Sequence, residues 1–358
     1  MLTVVLTNRN RDLHIVKNCL QSLIQQNYDD FCCFLVDYGS ELNYLEKLNE
    51  LLLEFPKIKF ISCPVQHQLW NKSRAINIAL KQCQTPFFFV ADIDMIFNNG
   101  FIQKLYDIKQ EREAVYFQVG FLDEKESQRN CNFEDYQISF NSNKEATGMT
   151  LYPTDLLKQI NGFDEFYHGW GAEDTDTHVR LQNLGININY YDSEVLVLHQ
   201  WHPKQYRSIN STDAYHSGLE KINHSYLKIG QQTNQTIANK KQQWGLFPKN
   251  DLYQKLKRDF DFSFDILPEI NQLTAFIAQL ANFHNKTLSV TIKDVDEKTK
   301  SKEVVKKYLG KKYINFLKMD FVNDLILQEI IFHYRNVPYE YSFDKKNRII
   351  ELKIYLTE

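Results

Sequence analysis

Short apolar runs alternate with amphipathic stretches through the first hundred residues. Leu2 to Leu6 is a β-branched apolar run, the pattern of a strand buried on both faces. His14 to Gln26 then places Ile15, Val16, Cys19, Leu20, Leu23 and Ile24 at helical spacing. Phe31 to Val36 predicts a second strand, and Leu42 to Phe55 a helix closed by Pro56. Ile58 to Ser62 predicts a third strand, Asn71 to Gln82 another helix, and Pro86 to Ala91 a fourth strand. Strands alternating with helices imply a parallel sheet with right-handed crossovers, in which ligands bind beyond the carboxyl ends of the strands.

The pattern then loosens. Val115 to Leu122 reads as a strand, Asp123 to Asn143 as a long polar loop, and Ile186 to Leu198 as a strand pair. Pro203 to Gly230, with Lys204, Tyr206 and Arg207, is polar and short of apolar periodicity, the character of a lid-like loop. Gln231 to Gln243 reads as a helix or linker. From about Asn250 the character changes. Ile266 to Phe283 and Phe321 to Tyr334 predict amphipathic helices, and Leu288 to Ile292 a strand. Tyr339 to Phe343 and Arg348 to Tyr355 predict a hairpin. The chain thus divides into residues 1–245 and a small α/β appendage over 250–358. No motif in the appendage carries chemistry. Its Lys-rich stretch around Lys293 to Lys312 is read as a solvated face, with anionic lipid headgroups as the alternative contact.

Composition narrows this picture. At 358 residues and 43% hydrophobic, the chain can hold one large domain and a smaller one. A net charge of −3 gives no global field for nucleic acid, which is not expected as a partner. The six cysteines, at 19, 32, 33, 63, 83 and 131, lack C-x-x-C spacing, and four sit in apolar or helical surroundings expected to bury free thiols. No run of 18 apolar residues predicts a spanning helix, and MLTVVLTNRN does not read as a signal peptide. The expected location is cytoplasmic, or peripheral on the cytosolic face of a membrane.

Several polar groups fall at predicted strand ends. Thr7 and Arg9 follow the first strand. Asp37 follows the second, placed like an acid that bonds a nucleobase or ribose, although a turn Asp near Gly39 accounts for it equally. Lys72 and Arg74 lie in the first turn of a helix, where two cations make either a diphosphate cradle or an ordinary basic turn. Asp92 and Asp94 close the fourth strand. At i and i+2 on an extended chain they point the same way, and such carboxylates call for a cation. His199 and His202 leave a later strand three apart, a candidate metal pair. Asn161-Gly162 makes a turn. Gly169 and Gly171 hinge Trp170 before Glu173, Asp174 and Asp176, which would also complement a helix dipole.

The stretch from Thr147 to Asp176, TGMTLYPTDLLKQINGFDEFYHGWGAEDTD, resembles the acceptor-side segment of β-1,4-galactosyltransferases and related galactose or N-acetylgalactosamine transferases. That segment runs as a glycine-containing strand, INGF, and GWG-x-ED-x-D. Asn71, Lys72, Arg74 and Asn77 match the family's basic helix start by type, with the second basic position offset by one. Asp92-x-Asp94 resembles the DxD of GT-A nucleotide-sugar transferases, whose second Asp touches the metal. His202 matches the family's metal histidine, and His199 departs from the pattern. The resemblance covers roughly residues 1–245 and is to bacterial family 2 enzymes that carry a galactosyltransferase-like acceptor half.

The resemblance implies a GT-A fold: Rossmann-like α/β, a mostly parallel sheet with helices on both faces, plus the appendage. It implies a metal-dependent inverting glycosyltransferase that moves a hexose or N-acetylhexosamine, of galactose or N-acetylgalactosamine type, from a UDP-sugar to a glycan or lipid-linked glycan. Asp174 would be the general base and Glu173 would fix the acceptor. Thr7, Arg9, Asp37, Lys72, Arg74, Asp92 and Trp170 would bind the donor, and Trp170, Glu173 and Tyr167 the acceptor. Asp94, His199 and His202 would hold Mn²⁺ or another divalent cation such as Mg²⁺. A non-catalytic binding protein and a nucleotide-sugar hydrolase on the same fold are the competing expectations.

Overall fold

A computed structural model of the chain describes residues 1–203 and 214–357. Lys204, Tyr206 and Arg207 of the expected lid lie outside the described residues. The described chain forms two compact units. The first comprises Met1–Cys63, 70–203 and Glu220–Phe247; the second comprises Pro64–Leu69, 214–219 and 248–357. The division thus differs from a single boundary near 245–250 at two places, Pro64–Leu69 and 214–219, both of which belong to the second unit.

In the first unit, β1 (Leu2–Asn8), α1 (Leu13–Ile24), β2 (Phe31–Tyr38), α2 (Leu42–Leu52), β3 (Ile58–Cys63), α3 (Lys72–Gln82) and β4 (Phe87–Asp92) follow in the predicted order. Every residue of β1 is buried. Leu2, Val4 and Leu6 join one apolar cluster with Leu20 of α1 and Leu48 of α2. The intervening Thr3, Val5 and Thr7 are buried too. A strand covered on both sides must be apolar at successive positions, which is why this half of the fold was legible.

The chain continues through β5 (Met95–Phe97), α4 (Phe101–Ile108), β6 (Glu113–Phe117), β7 (Val119–Phe121), β8 (Phe140–Asn141), β9 (Thr150–Pro153), α5 (Thr154–Gln159), α6 (Glu173–Asn183), β10 (Asn187–Tyr191), β11 (Val197–His199) and α7 (Leu219–Gln232). The seven-stranded main sheet has order β10-β6-β9-β4-β1-β2-β3, with β9 antiparallel to both its neighbours and the other pairs parallel. A second sheet has order β5-β11-β7-β8. The strand expected over Val115 to Leu122 is thus two strands in two sheets. It breaks at Gln118, whose N–H makes the last bond of the β6–β10 pairing, to Tyr191 O, before β7 joins the second sheet. The loop expected over Pro203 to Gly230 is corrected in its second half, where α7 begins at Leu219.

The second unit holds α8 (Asn250–Gln254), β12 (Phe262–Ile266), α9 (Ile270–Leu280), β13 (Lys286–Lys293), α10 (Glu297–Tyr308), α11 (Met319–Glu329), β14 (Tyr339–Asp344) and β15 (Ile349–Leu356). Its sheet runs β12-β13-β15-β14. The excursion runs beside β14 at the sheet's edge: Tyr341 N donates to His67 O, Gln68 Nε2 to Tyr339 O, and Leu69 N to the Tyr339 hydroxyl. An edge strand covered in this way does not offer its open backbone groups to another chain. No helix among the described residues is long and apolar enough to cross a membrane.

Candidate active site

Two groups of charged side chains sit at the carboxyl ends of the central strands. β4 ends at Asp92, and the chain turns at Ile93-Asp94 before β5. This turn corrects the expectation that Asp92 and Asp94 point the same way: the two carboxylates serve separate clusters.

Asp94 faces the histidines. His202 Nε2 lies 3.2 Å from Asp94 Oδ2 and His199 Nε2 3.9 Å from Oδ1. Ligand atoms of all three residues fall within 4.8 Å of one another. Arg11 Nη2 also reaches Asp94 Oδ2, at 3.1 Å. Burial alone would raise the Asp94 carboxyl, but the His202 hydrogen bond and the charges of His199 and Arg11 override it and hold it well below the usual range. Burial pushes His199 down, toward the neutral imidazole that a metal needs. Asp94 Oδ1 is buried with no hydrogen-bond partner. An orphaned carboxylate oxygen beside two imidazoles fits a hard or borderline divalent cation.

The histidines are aimed by the residue between them. Gln200 is fully buried; its Nε2 donates to Ile15 O of α1, its Oε1 accepts from Asn18, and its N–H donates to Asp94 O. Trp201 N donates to Ser127 Oγ, a second tether from the polar segment after β7. His199 is stacked on Phe121, ring centroids 4.8 Å apart.

The other cluster is built around Lys72 at the start of α3. Its Nζ lies 3.0 Å from Asp92 Oδ1, 3.2 Å from Asp174 Oδ2 and 3.5 Å from Glu173 Oε1. One ammonium faces three carboxylates. Their charges raise Lys72 well above its ordinary value against the opposing effect of burial, so it stays protonated. Asp174 moves the other way from a typical paired acid: burial raises it, Lys72 opposes, and Glu173 and Asp92 raise it again, to about 7. One cation faces three carboxylates, so Asp174 keeps its proton to higher pH than an ordinary acid.

The acceptor-like stretch is locked to α3. Asn71 caps that helix, its Oδ1 accepting from Arg74 N, while its Nδ2 donates to Glu165 O. Asn77 Nδ2 donates to Phe163 O and Glu165 Oε1, and its Oδ1 accepts from Phe163 N. Gly162 has φ +66°, and a Cβ there would sit 2.2 Å from Asn77 Oδ1. The INGF turn is thus a backbone piece seated on Asn77 and on Asn239, whose Nδ2 donates to Asn161 O and Phe163 O.

Beyond it the backbone takes positive φ at Gly169, Gly171 and Ala172, and Trp170 between them is 63% exposed. Asn223 of α7 donates to His168 O and Trp170 O, which ties this exposed turn to a helix. α6 then opens with Glu173 and Asp174.

Not every expected residue joins a cluster. Tyr167, expected to meet the acceptor, is corrected: it is buried, with its hydroxyl 3.3 Å from Asp176 Oδ1 and its ring against Tyr226. Asp176 pairs in turn with Arg180 at 2.7 Å in the interior. Arg74 is buried, with Nε and Nη2 both donating to Leu246 O, so its guanidinium anchors the chain rather than lining the Lys72 cluster. Lys72 meets carboxylates where a phosphate contact was expected. Asp37 does end β2, but it is fully buried, accepting from Ser40 N, Ser40 Oγ and Asn8 Nδ2. Thr7 pairs in register with both Val36 and Asp92; burial raises the Asp37 carboxyl and the nearby charge of Arg9 partly opposes it, so Thr7 and Arg9 lie at the same sheet end. Sequence reasoning did not select Arg11, Gln200 or Asn223. Arg11 was visible in the polar run after β1, but nothing in its spacing sets it apart from Arg9. Gln200 carries no pattern, and Asn223 only an Asn-x-Ser sequon unrelated to this contact.

Residues 3–156 match the profile of glycosyl transferase family 2. Residues 127–202 match that described as the N-terminal domain of galactosyltransferase. Chondroitin sulfate synthase 3 of Mus musculus is 25% identical over 182 residues, which is 48% of this chain and 20% of that protein. The teichoic acid poly(glycerol phosphate) polymerase of Staphylococcus epidermidis is 32% identical over 200 residues, 47% of this chain and 27% of that protein. The chain therefore spans about a fifth to a quarter of the length of these relatives. Among solved structures, S. aureus TarS 1–349 in complex with UDP-GlcNAc aligns at 17% identity and TM-score 0.43, over 56% of this chain and 59% of that one.

Proposed function

We propose that this chain, a glycosyltransferase of the GT-A type with a family 2 region continued by a galactosyltransferase-like segment, transfers a hexose or N-acetylhexosamine from a UDP-sugar to a hydroxyl of a glycan or lipid-linked glycan, with inversion. A sugar of galactose or N-acetylgalactosamine type is favoured by the INGF and GWGAED stretch. The observation that carries the reading is Asp174: a carboxyl raised to about 7 on a helix start, beside an exposed tryptophan and apart from the Asp94 set. A base acts best with a pKa near the working pH, and Asp174 is so poised.

In this reading Trp170 covers the sugars, Glu173 holds the acceptor, and Asp174 Oδ takes the proton of the attacking hydroxyl. Lys72 orients Asp174 and, through Asp92, ties the base to the donor side. Arg11 and Gln200 fix Asp94 and the histidines. A divalent cation such as Mn²⁺ or Mg²⁺ held by Asp94, His199 and His202 would supply positive charge for the diphosphate leaving group. A single base on the acceptor favours one displacement and inversion.

The test is Asp174→Asn, assayed with UDP-sugars and a panel of glycan acceptors. Transfer is expected to fall about 10²–10⁴-fold with donor affinity unchanged, the signature of a group acting in the transition state. Near-normal turnover in that variant would falsify the base assignment. Sugar release without acceptor, at the wild-type transfer rate, would instead make the protein a hydrolase.

A further inference from the structure

We propose that α10 and the turn after it form a docking surface for an anionic lipid bilayer. The inference stands apart from the catalytic reading and rests on the second unit alone.

Lysines by themselves do not make such a surface; a solvated basic helix would look the same in sequence. The packing of α10 decides. Its one buried residue is Glu303, whose Oε1 accepts from Lys306 Nζ and whose Oε2 accepts from Ile314 N. A helix advances about 100° per residue, so Val304, Val305 and Tyr308, with Leu309 at the C-cap, fall on the side opposite Glu303. All four are exposed, Tyr308 at 87% and Leu309 at 63%. The apolar face of α10 therefore points away from its own unit. Tyr313 and Ile314, after the Gly310 turn, are exposed as well.

Lysines border this face on both sides. At the same angular step, Lys302 and Lys306 run down one flank and Lys300 and Lys307 down the other, while Lys298, Glu297 and Ser301 fall within the face in its first turns. Lys300 pairs with Asp294 and Glu297, and Lys306 with Glu303. Lys298, Lys302, Lys311 and Lys312 make no ion pair among the described residues. From residue 293 to 312 eight lysines stand against four acids, in a chain whose net charge is −3.

The combination selects the partner. A nucleic acid would meet the lysines and leave Val304, Val305 and Leu309 in water. A second copy would cover the apolar residues but bring like charges together. An anionic bilayer receives both: apolar side chains enter at the headgroup boundary, while lysine stems lie along it with their ammonium groups among the lipid phosphates.

The experiment uses the full chain, with flotation on vesicles of phosphatidylcholine alone and of phosphatidylcholine with one-third phosphatidylglycerol. Binding is expected only to the anionic vesicles and is weakened by salt. Tyr308→Ser with Leu309→Ser, and separately Lys302→Glu with Lys311→Glu, should each lower the partition about tenfold or more. All four positions are exposed, so circular dichroism melts should match wild type, and soluble-acceptor activity should not change. Tyr308→Trp keeps the surface and reports insertion directly, by an added emission that shifts to the blue on anionic vesicles when the wild-type signal is subtracted. Equal binding to neutral vesicles, wild-type partition in both double variants, or an unshifted added emission in the Tyr308→Trp protein overturns the proposal. So does a dimer in light scattering that the Tyr308→Ser/Leu309→Ser protein loses, which would assign the face to a second copy.

Discussion

The Lys72 ammonium is held by Asp92, Glu173 and Asp174 together, and its charge is what keeps the Asp174 pKa from rising further. This has a signed consequence. A base works deprotonated, so kcat/KM should rise with pH through an apparent pKa near 7, the value of Asp174 in the free enzyme. Lys72→Met removes the cation and leaves burial and two neighbouring carboxylates unopposed. The acid limb must then move to higher pH, and each unit of displacement lowers activity at neutral pH by about tenfold. A pH–rate profile of the two proteins checks this; an unmoved limb in Lys72→Met would show that Lys72 does not set the base. At the other cluster, His202 lies closer to Asp94 than His199 does. His202→Ala should therefore weaken Mn²⁺ binding more than His199→Ala, as read by metal titration of both.

Individual elements carry a different kind of information, and they divide by how their residues are satisfied. β1, α1, β2, α3 and β4 were legible because their burial is dense and periodic. α7 was missed although Leu219, Ile222, Tyr226 and Ile229 stand at helical spacing, because the polar run before Leu219 masked the change of pattern. α10 was hidden for a different reason, since its apolar residues face outward and define no core stripe. Strand ends and spacing marked Asp94 and the histidine pair separately, and the family resemblance joined them as one metal set. The Lys72–Asp174 contact could not be read, because it joins two helix starts about a hundred residues apart in the chain. The same limit hid the meaning of INGF: the motif was recognisable, but its partner Asn77 was visible only as a matching letter. Gly162→Ala tests that partnership. The added Cβ meets Asn77 Oδ1 and must also take positive φ. Overpacking of this kind costs about 1–3 kcal/mol, to which the backbone strain adds. Urea unfolding should show the loss, and transfer should fall more than donor binding, because the turn holds the acceptor side. Wild-type stability would mean that the turn relaxes away from α3.

At the scale of the whole molecule the chain is two compact units that exchange segments, and the sequence boundary near 245–250 missed the exchange because Pro64–Leu69 sits between a strand and a helix of the first unit. The charged residues of both site clusters belong to the first unit. A cation at Asp94, His199 and His202 would join three points distant in sequence: the end of β4, the exit of β11 and, through Gln200, helix α1. A ligand that binds only the folded state stabilises it by about 2.7 kcal/mol at a hundredfold excess over its Kd. Mn²⁺ should therefore raise the unfolding midpoint of the protein. Asp94→Ala should abolish the shift. It should also destabilise the metal-free protein, because it removes the partner of Arg11 and His202 and a carboxylate whose lowered pKa marks stabilisation of the fold. Gln200→Ala separates aim from ligation: it keeps all three ligands but frees the backbone from Ile15 and Asn18, so the midpoint shift should shrink without vanishing. Calorimetry across a Mn²⁺ series reads all three proteins in one experiment, and an equal shift in wild type and Asp94→Ala would place the metal elsewhere.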